Sequence, residues 1–470
     1  MPTRRTPGTW TKVFYGLGSI AFGVKDNGFA FFLLLYYNQV LGLPEAWVGF
    51  GIMIALIMDA IFDPVVGYVS DHLHSRWGRR HPFMYASALP VGAAYYFLWN
   101  PPALPPAQLF AYFAVMAVLV RLLIACYEIP SSSLVAELTD HYDERTSILS
   151  YRFFFGWWGG LTVAVLAYSV FLTPDATHPV GVLNPQGYQR YGLVAALIMT
   201  AAILISAVGT HWYIPYLRRP PGLHRPGARA ALAELGQTLT NRAFLWLFGA
   251  GIFGGMAAGI TAALSIYFNT YFWELTSQQM SLLATLNFIS AAVAFAVTAQ
   301  LSVRFGKKAA AIGASLIVVV FGPAPVFLRL LGLFPANGSP LLVPILAVLN
   351  TTLVTLFITA SILVTSMLAD VVEDSEVSTG RRSEGVFFAA NAFVQKSVSG
   401  VGIFASTLLL NTIGFPRGAK PGAVDAEVVR SLGLIYAPTF VVLYLITLAC
   451  VSAYNISRAT HEANLARLGR

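Results

Sequence analysis

The sequence predicts an all-α polytopic membrane protein: twelve transmembrane helices in two six-helix bundles, with both termini cytoplasmic. Three observations carry that expectation. The 470 residues are 57% hydrophobic and only 11% charged, where a soluble domain carries about 25% charged residues. Apolar stretches recur along the whole length, and twelve reach the roughly 20 residues that a bilayer crossing takes. Two basic glycine turns, RWGRR (Arg76 to Arg80) and RFGKK (Arg304 to Lys308), follow the second and the eighth stretch. A duplicated six-helix unit places its turns in that way.

In chain order the expected spans are 13–38, 46–70, 82–99, 107–136, 147–172, 191–216, 243–273, 279–303, 309–333, 341–369, 385–413 and 431–455. Met1 to Lys12 is polar and basic, but the apolar run behind it is too long for a signal peptide. It reads as the first span. Of the 29 Lys and Arg residues, Lys25, Arg121, Arg152 and Lys396 fall deep within spans, and Arg190, Arg329, Arg417, Lys420 and Arg430 fall in alternate loops or at the span ends beside them. All the others fall on the opposite side. Positive charge concentrates on the cytoplasmic face, so both termini are placed inside. The same bias accounts for the net charge of +8 without a nucleic-acid partner.

The longest polar inner segment, RRPPGLHRPGARAALAELGQTLTNR, joins spans six and seven, and Ala228 to Leu239 reads as a short surface helix within it. The expected division is an N-terminal bundle (1–217), a cytoplasmic linker (218–242) and a C-terminal bundle (243–470). With the repeated turns, this is the pattern of the major facilitator fold, two bundles facing each other across a central cavity. Cys126 and Cys450 lie in apolar runs without metal or disulfide spacing, and read as small packing residues.

Charge inside a bilayer is costly enough to mark functional candidates. The candidates are Lys25 and Asp26 (span one), Asp59 and Asp63 (span two), Arg121 and Glu128 (span four), Arg152 (span five) and Lys396 (span eleven). Asp59 and Asp63, at i and i+4, share one helical face. Two bare carboxylates there would repel, so a proton, a bound cation or a basic residue must neutralise them. At 1.5 Å rise per residue, Asp63, Glu128, Arg152 and Lys396 fall at depths agreeing within about 10 Å. Arg121 reads as a partner for a carboxylate, and Lys396 as a bridge to the N-terminal acids. No His or Cys gathers with them as a membrane enzyme would need. The pattern points to a cation- or proton-coupled transporter, and not to an enzyme. The aromatics of spans five and eleven read as packing or interfacial residues, and Gly156, Gly159, Gly160, Gly251, Gly254 and Gly255 as close-packing points.

The run DAIFDPVVGYVSD followed by SRWGRR resembles the glycoside–pentoside–hexuronide:cation symporters, melibiose permease-like members of the major facilitator superfamily. GVKDNGF, YEIPSSSL, the Glu144-Arg145 step, YRFF from Tyr151, LADVVEDSE and Lys396 extend the resemblance over almost the whole chain. It implies sugar held by Asp26, Glu128 and Arg152, near Lys396, and a cation at Asp59 and Asp63 with Glu128. Lys25, Arg121, Tyr151 and Ser132 are the supporting positions. It also gives Arg76, Arg79 and Arg80 a second role besides topology. They pair with Asp71 or with acids such as Glu137, Asp140, Asp143 and Glu144, and with Arg145 they close the inner face.

Three departures refine this. In this resemblance Phe62 stands where sodium-using melibiose permease has Asn, Ala125 where it has Thr, and Ser132 where it has a sugar-stacking Trp. Na⁺ wants several oxygen donors, whereas a desolvated carboxylate pair favours a proton. The expected coupling ion is therefore H⁺, with Na⁺ at Asp59 and Asp63 as the alternative. The expected activity is symport of a sugar or glycoside by alternating access, with a lysophospholipid or other amphiphile as the alternative substrate. The expected partners are that small molecule, the coupling cation and the bilayer, with no soluble cofactor. A multi-pass monomer in the plasma (inner) membrane is expected.

Overall fold

The computed structural model describes residues 7–73, 75–139, 142–217, 241–379, 384–456, 460, 463–464 and 467. The expected linker, its surface helix at Ala228 to Leu239 and Asp140 thus lie outside the described residues, Asn241 and Arg242 excepted.

Among the described residues, twelve helices carry the fold. The first six are α1 (Thr9–Val40), α2 (Glu45–His72), α3 (His81–Trp99), α4 (Pro106–Leu138), α5 (Tyr142–Leu166) and α6 (Pro185–His211). The second six are α7 (Arg242–Phe272), α8 (Ser277–Phe305), α9 (Lys307–Leu330), α10 (Leu342–Thr379), α11 (Glu384–Thr412) and α12 (Ala426–Ala453). Eleven are long and apolar enough to cross a membrane. The other, α3, has 19 residues, enough for the hydrocarbon core, but Pro82, Pro90 and three tyrosines dilute its apolar character.

Helices solve the backbone problem of the bilayer, because every internal N–H and C=O is paired within its own segment. Their ends follow local chemistry. The Asn184 side chain accepts from the backbone of Gln186 at 3.0 Å and Gly187 at 3.4 Å to start α6, and Asp425 accepts from Glu427 at 3.0 Å to start α12. Such caps satisfy donors that a helix leaves open. Gly78 and Gly306, the central residues of the two basic turns, both take positive φ, +76° and +80°. Residues with a Cβ rarely adopt that conformation. The two turns therefore match in backbone as well as in sequence.

Packing divides the chain into two compact units. The first is Met1–Leu223 with Ala262–Thr285 and Pro416–Val424, and the second is His224–Thr261, Leu286–Phe415 and Asp425–Arg470. The boundaries drawn from sequence follow the chain, whereas two later segments join the first unit by packing. Tyr267 donates to the Asn38 side chain at 2.7 Å, and Gln39 exchanges hydrogen bonds with Pro416 O at 3.2 Å and Ala419 N at 3.0 Å. These amides and hydroxyls are buried, where each unmade bond would be expensive.

Within the first unit, α1 lies against α5 and α6, α2 against α4, and α3 against α4 and α6. The α1–α5 contact is made on glycine: a Cβ at Gly23 would lie 2.0 Å from the Gly156 carbonyl oxygen. Within the second unit, α9 lies against α10 and α12. Its core joins Phe244, Leu247, Met367, Val371, Phe387 and Cys450. Both cysteines are free. There the closest glycine contacts are at Gly259, whose Cβ would meet Ser399 O at 2.3 Å, and Gly402, which would meet Met256 O at 2.3 Å. Gly251, Gly254 and Gly255 have looser surroundings, their nearest neighbours at 3.3 Å or beyond.

Candidate functional site: a buried network of charges

The tight crossing of α1 and α5 sets the site, because it carries the middle of α1 against the start of α5 and the proline-broken part of α4. Pro64 directly follows Asp63 in α2, and Pro130 stands two residues after Glu128 in α4. Each proline removes one backbone donor from its helix and frees a carbonyl, so polar side chains at these levels meet polar backbone.

Lys25 is 1% exposed. Its Nζ lies 3.0 Å from Asp26 Oδ1 and 3.6 Å from Glu128 Oε2. Arg121 is also buried, and its Nη1 donates to Asp59 Oδ2 at 3.1 Å. The same nitrogen lies 3.8 Å from Asp26 Oδ1. Asp59 is 1% exposed, whereas the Asp26 side chain is 56% exposed. One carboxylate is thus sunk in the helix packing, and the other reaches open space with a cation on each side. Asp63, one turn further along α2, is partly buried.

Arg152 completes the network from α5. Its Nη1 donates to Ser131 Oγ at 3.0 Å and to Tyr15 Oη at 3.2 Å, and its Nη2 reaches Glu128 O at 3.4 Å. Both deep arginines lie over aromatic faces of α1: Arg121 over Phe29 at 4.5 Å, Arg152 over Phe22 at 4.9 Å. Cation–π contact orients a guanidinium without neutralising it. Sequence reasoning missed these rings and Tyr15, since aromatics abound in every span. The signal available is their spacing, Tyr15, Phe22 and Phe29 at intervals of seven along one side of α1.

Two supporting positions stand apart from the charges. The Ser132 hydroxyl turns back to Ile129 O of its own helix at 2.8 Å, and the Tyr151 carbonyl packs against Gly16. Lys396 is half-buried on α11 in the second unit. The amides Asn38 and Gln39 were also missed, because uncharged residues do not announce themselves in an apolar run.

A second cluster stands at the ends of α2 and α4. Arg80 pairs with Asp71, with Glu137 at 2.9 Å and with Ser70 at 2.7 Å, and Arg79 pairs with Glu137 at 2.8 Å. Glu144 pairs instead with Lys12 at 2.9 Å. Arg76 lies over its neighbour Trp77 at 5.4 Å, and Arg145 is exposed. The second unit echoes this cluster, for Lys307 of the repeated turn pairs with Asp370 of α10 at 2.6 Å. In both units a cation after the positive-φ glycine meets an acid near the end of the helix two further on.

An all-helical membrane chain with opposite charges buried across four spans has the architecture of a major facilitator transporter. A family model described as "MFS/sugar transport protein" matches residues 14–458. The chain belongs to that family, among the glycoside–pentoside–hexuronide:cation symporters, and is a multi-pass membrane transporter and not an enzyme. It is 27% identical to the symporter sll1374 of Synechocystis sp., with 96% of this chain and 95% of that one covered. It is 25% identical to the human sodium-dependent lysophosphatidylcholine symporter 1 (96% and 87% covered), and 23% identical to the isoprimeverose transporter of Lactiplantibacillus pentosus (86% and 81% covered). Among solved structures, the xylose transporter XylE of E. coli shares the fold, with a TM-score of 0.62 at 17% identity and 93% and 94% of the two chains covered.

Proposed function

We propose that the protein is a proton-coupled symporter of a sugar or glycoside that works by alternating access. The observation that carries this reading is the pairing within the buried network. Among the described residues, Lys25 pairs with Asp26 and lies near Glu128, and Arg121 pairs with Asp59 and lies near Asp26, so each cation serves two acids. A cation bound at one of these acids changes the pairing of the rest. Uncompensated charge in a bilayer costs at least about 3 kcal/mol, so the loaded and unloaded forms differ enough in energy to bias which conformations are accessible.

In the proposed cycle the proton enters at Asp59 and Asp63, with Glu128 close by. The apolar neighbours Phe62 and Ala125 favour H⁺ over Na⁺ there. Substrate hydroxyls donate to Asp26, which is exposed and already held between Lys25 and Arg121, while Glu128 and Arg152 provide further polar contacts. Lys396 is the charge on α11 proposed to respond to loading. The Arg79–Arg80–Glu137–Asp71 cluster holds the inner ends of the helices in register. The isoprimeverose transporter among the relatives supports a glycoside substrate.

One observation favours a second reading. Beside buried Arg152, α5 presents Phe153 (61% exposed), Phe154 (48%) and Trp157 (46%). An amphiphile could lay its tail on such a surface and its anionic head near Arg152, in keeping with the lysophosphatidylcholine symporter among the relatives.

Proteoliposomes separate these readings. Uptake of radiolabelled glycosides that rises with external acidity, without Na⁺, is the expected result. Uptake that needs Na⁺ and ignores a pH gradient overturns the proton assignment, and uptake of lysolipid alone overturns the sugar.

A further inference from the structure

We propose that Arg121 is the relay between the two halves of the site: it exchanges between buried Asp59 and exposed Asp26, so that the protonation state of one sets the charge environment of the other. This rests on the reading of Asp59 as part of the ion site and Asp26 as part of the substrate site. It names the residue that couples them.

The geometry is that of a shared donor. A single nitrogen, Arg121 Nη1, stands 3.1 Å from Asp59 Oδ2 and 3.8 Å from Asp26 Oδ1. The difference is less than 1 Å, so the exchange needs only a small swing of the side chain. The face of the guanidinium lies on Phe29, at 4.5 Å. That residue is three positions beyond Asp26 on α1, and its ring gives the guanidinium a surface to slide on without leaving its place. Arg121 Nε is buried and lacks an acceptor in this arrangement, so the side chain holds donor capacity that its present pairing does not use.

The surrounding groups fix the direction of the effect. Lys25 holds Asp26 at 3.0 Å and is within 3.6 Å of Glu128. Asp63 stands one turn from Asp59 on α2, Arg152 faces Glu128 from α5, and on the α3 and α6 side the Tyr95 and Tyr191 hydroxyls bond each other at 2.9 Å. When a proton from solution binds the Asp59 carboxylate, that residue becomes neutral and loses its hold on Arg121, which stays charged. The guanidinium then moves to Asp26. Lys25 stays on Asp26, within reach of Glu128, so Asp26 gains a second close donor. Ion binding at the buried acid thereby rearranges the donors around the exposed one, and linkage requires the converse. An ordinary structural pair would leave Asp26 indifferent to Asp59.

The test needs no transport substrate. A water-soluble carbodiimide labels protonated carboxyls, and labelling of Asp26 in the purified full-length protein is read by peptide mass spectrometry. Asp59→Asn mimics the protonated form at nearly constant shape. It should lower Asp26 labelling about fivefold, in the range typical of coupling between sites, because Arg121 now pairs with Asp26 and covers its carboxyl. Asp59→Asn with Arg121→Met should restore labelling to the wild-type level or above. Unchanged Asp26 labelling in Asp59→Asn, or protection that persists in the double variant, would overturn the relay. Either result stands whether or not glycoside uptake is found, since the proposed function is decided in the proteoliposome experiment.

Discussion

Phe22 and Phe29 stand seven residues apart on α1, and each carries the guanidinium of an arginine from another helix: Arg152 at 4.9 Å and Arg121 at 4.5 Å. Lys25 and Asp26 lie between the two rings on the same helix. Helix α1 therefore supplies a cation and an anion to the site and also the platforms on which two further cations rest. Cation–π contact in a desolvated place is worth about 2 kcal/mol. Phe22→Leu, which keeps apolar volume but loses the ring face, should raise the KM for substrate by up to about thirtyfold while leaving the thermal unfolding midpoint nearly unchanged. Phe22→Tyr should restore most of the loss. If Phe22→Leu instead lowers the midpoint and the expression level with no specific change in KM, the ring is packing alone.

The crossing of α1 and α5 gives a sharper test of what places the site. A Cβ at Gly23 would meet a backbone oxygen at 2.0 Å, and backbone cannot step aside as a flexible side chain can. Gly23→Ala should cost about 3 kcal/mol or more, at the upper end of overpacking penalties. Gly313, inside α9, offers the opposite case, with nothing within 4 Å of its Cβ position. Gly313→Ala should stabilise by up to about 1 kcal/mol through helix propensity. Thermal unfolding of the two variants in one detergent checks the contrast. Similar midpoints would mean that the helices slide apart at no cost.

The contrast also shows what could be read before any coordinates. Twelve helices were legible because a bilayer imposes length and apolarity on each. Even α3, shortened by Pro82 and diluted by tyrosines, stood out as an apolar stretch. Asp26, Asp59, Glu128 and Arg152 were legible as a group because charge in an apolar run is conspicuous. Which acid Arg121 takes was not legible, since Asp59 and Asp26 are equally plausible partners until distances separate them. Nor was the ring beneath each guanidinium, because Phe22 and Phe29 look like any other membrane-facing aromatic. Gly259 and Gly402 escaped for a related reason. Glycine is common in these spans, and only the opposing backbone tells a contact point from a neutral position.

The cluster at the ends of α2 and α4 yields an ordering. Arg80 and Glu137 are both buried, and Arg80 also holds Asp71 and Ser70. Arg79 is more exposed and pairs with Glu137. Removing one partner of a buried pair costs about 3–5 kcal/mol when the remaining charge is stranded, whereas loss of Arg79 leaves Glu137 still paired with Arg80. Arg80→Ala should therefore depress thermal stability several times more than Arg79→Ala. Equal effects would show that Glu137 is satisfied by either arginine, and that the cluster serves topology more than packing.

Lys396 gives the test that bears most directly on energised transport. It is half-buried on α11, and its proposed task is to keep the unloaded transporter from reorienting until substrate and proton are both bound. A residue with that task acts on the difference between loaded and unloaded states, and leaves substrate affinity largely alone. Lys396→Ala should then cut uphill accumulation by about tenfold or more, a coupling of the size found between linked sites, while substrate binding and counterflow exchange stay within about threefold of wild type. The leak should appear as proton entry without substrate, readable with a pH-sensitive dye inside the vesicles. Loss of binding, exchange and accumulation together would mean that the lysine supports the fold of its own unit and takes no part in coupling.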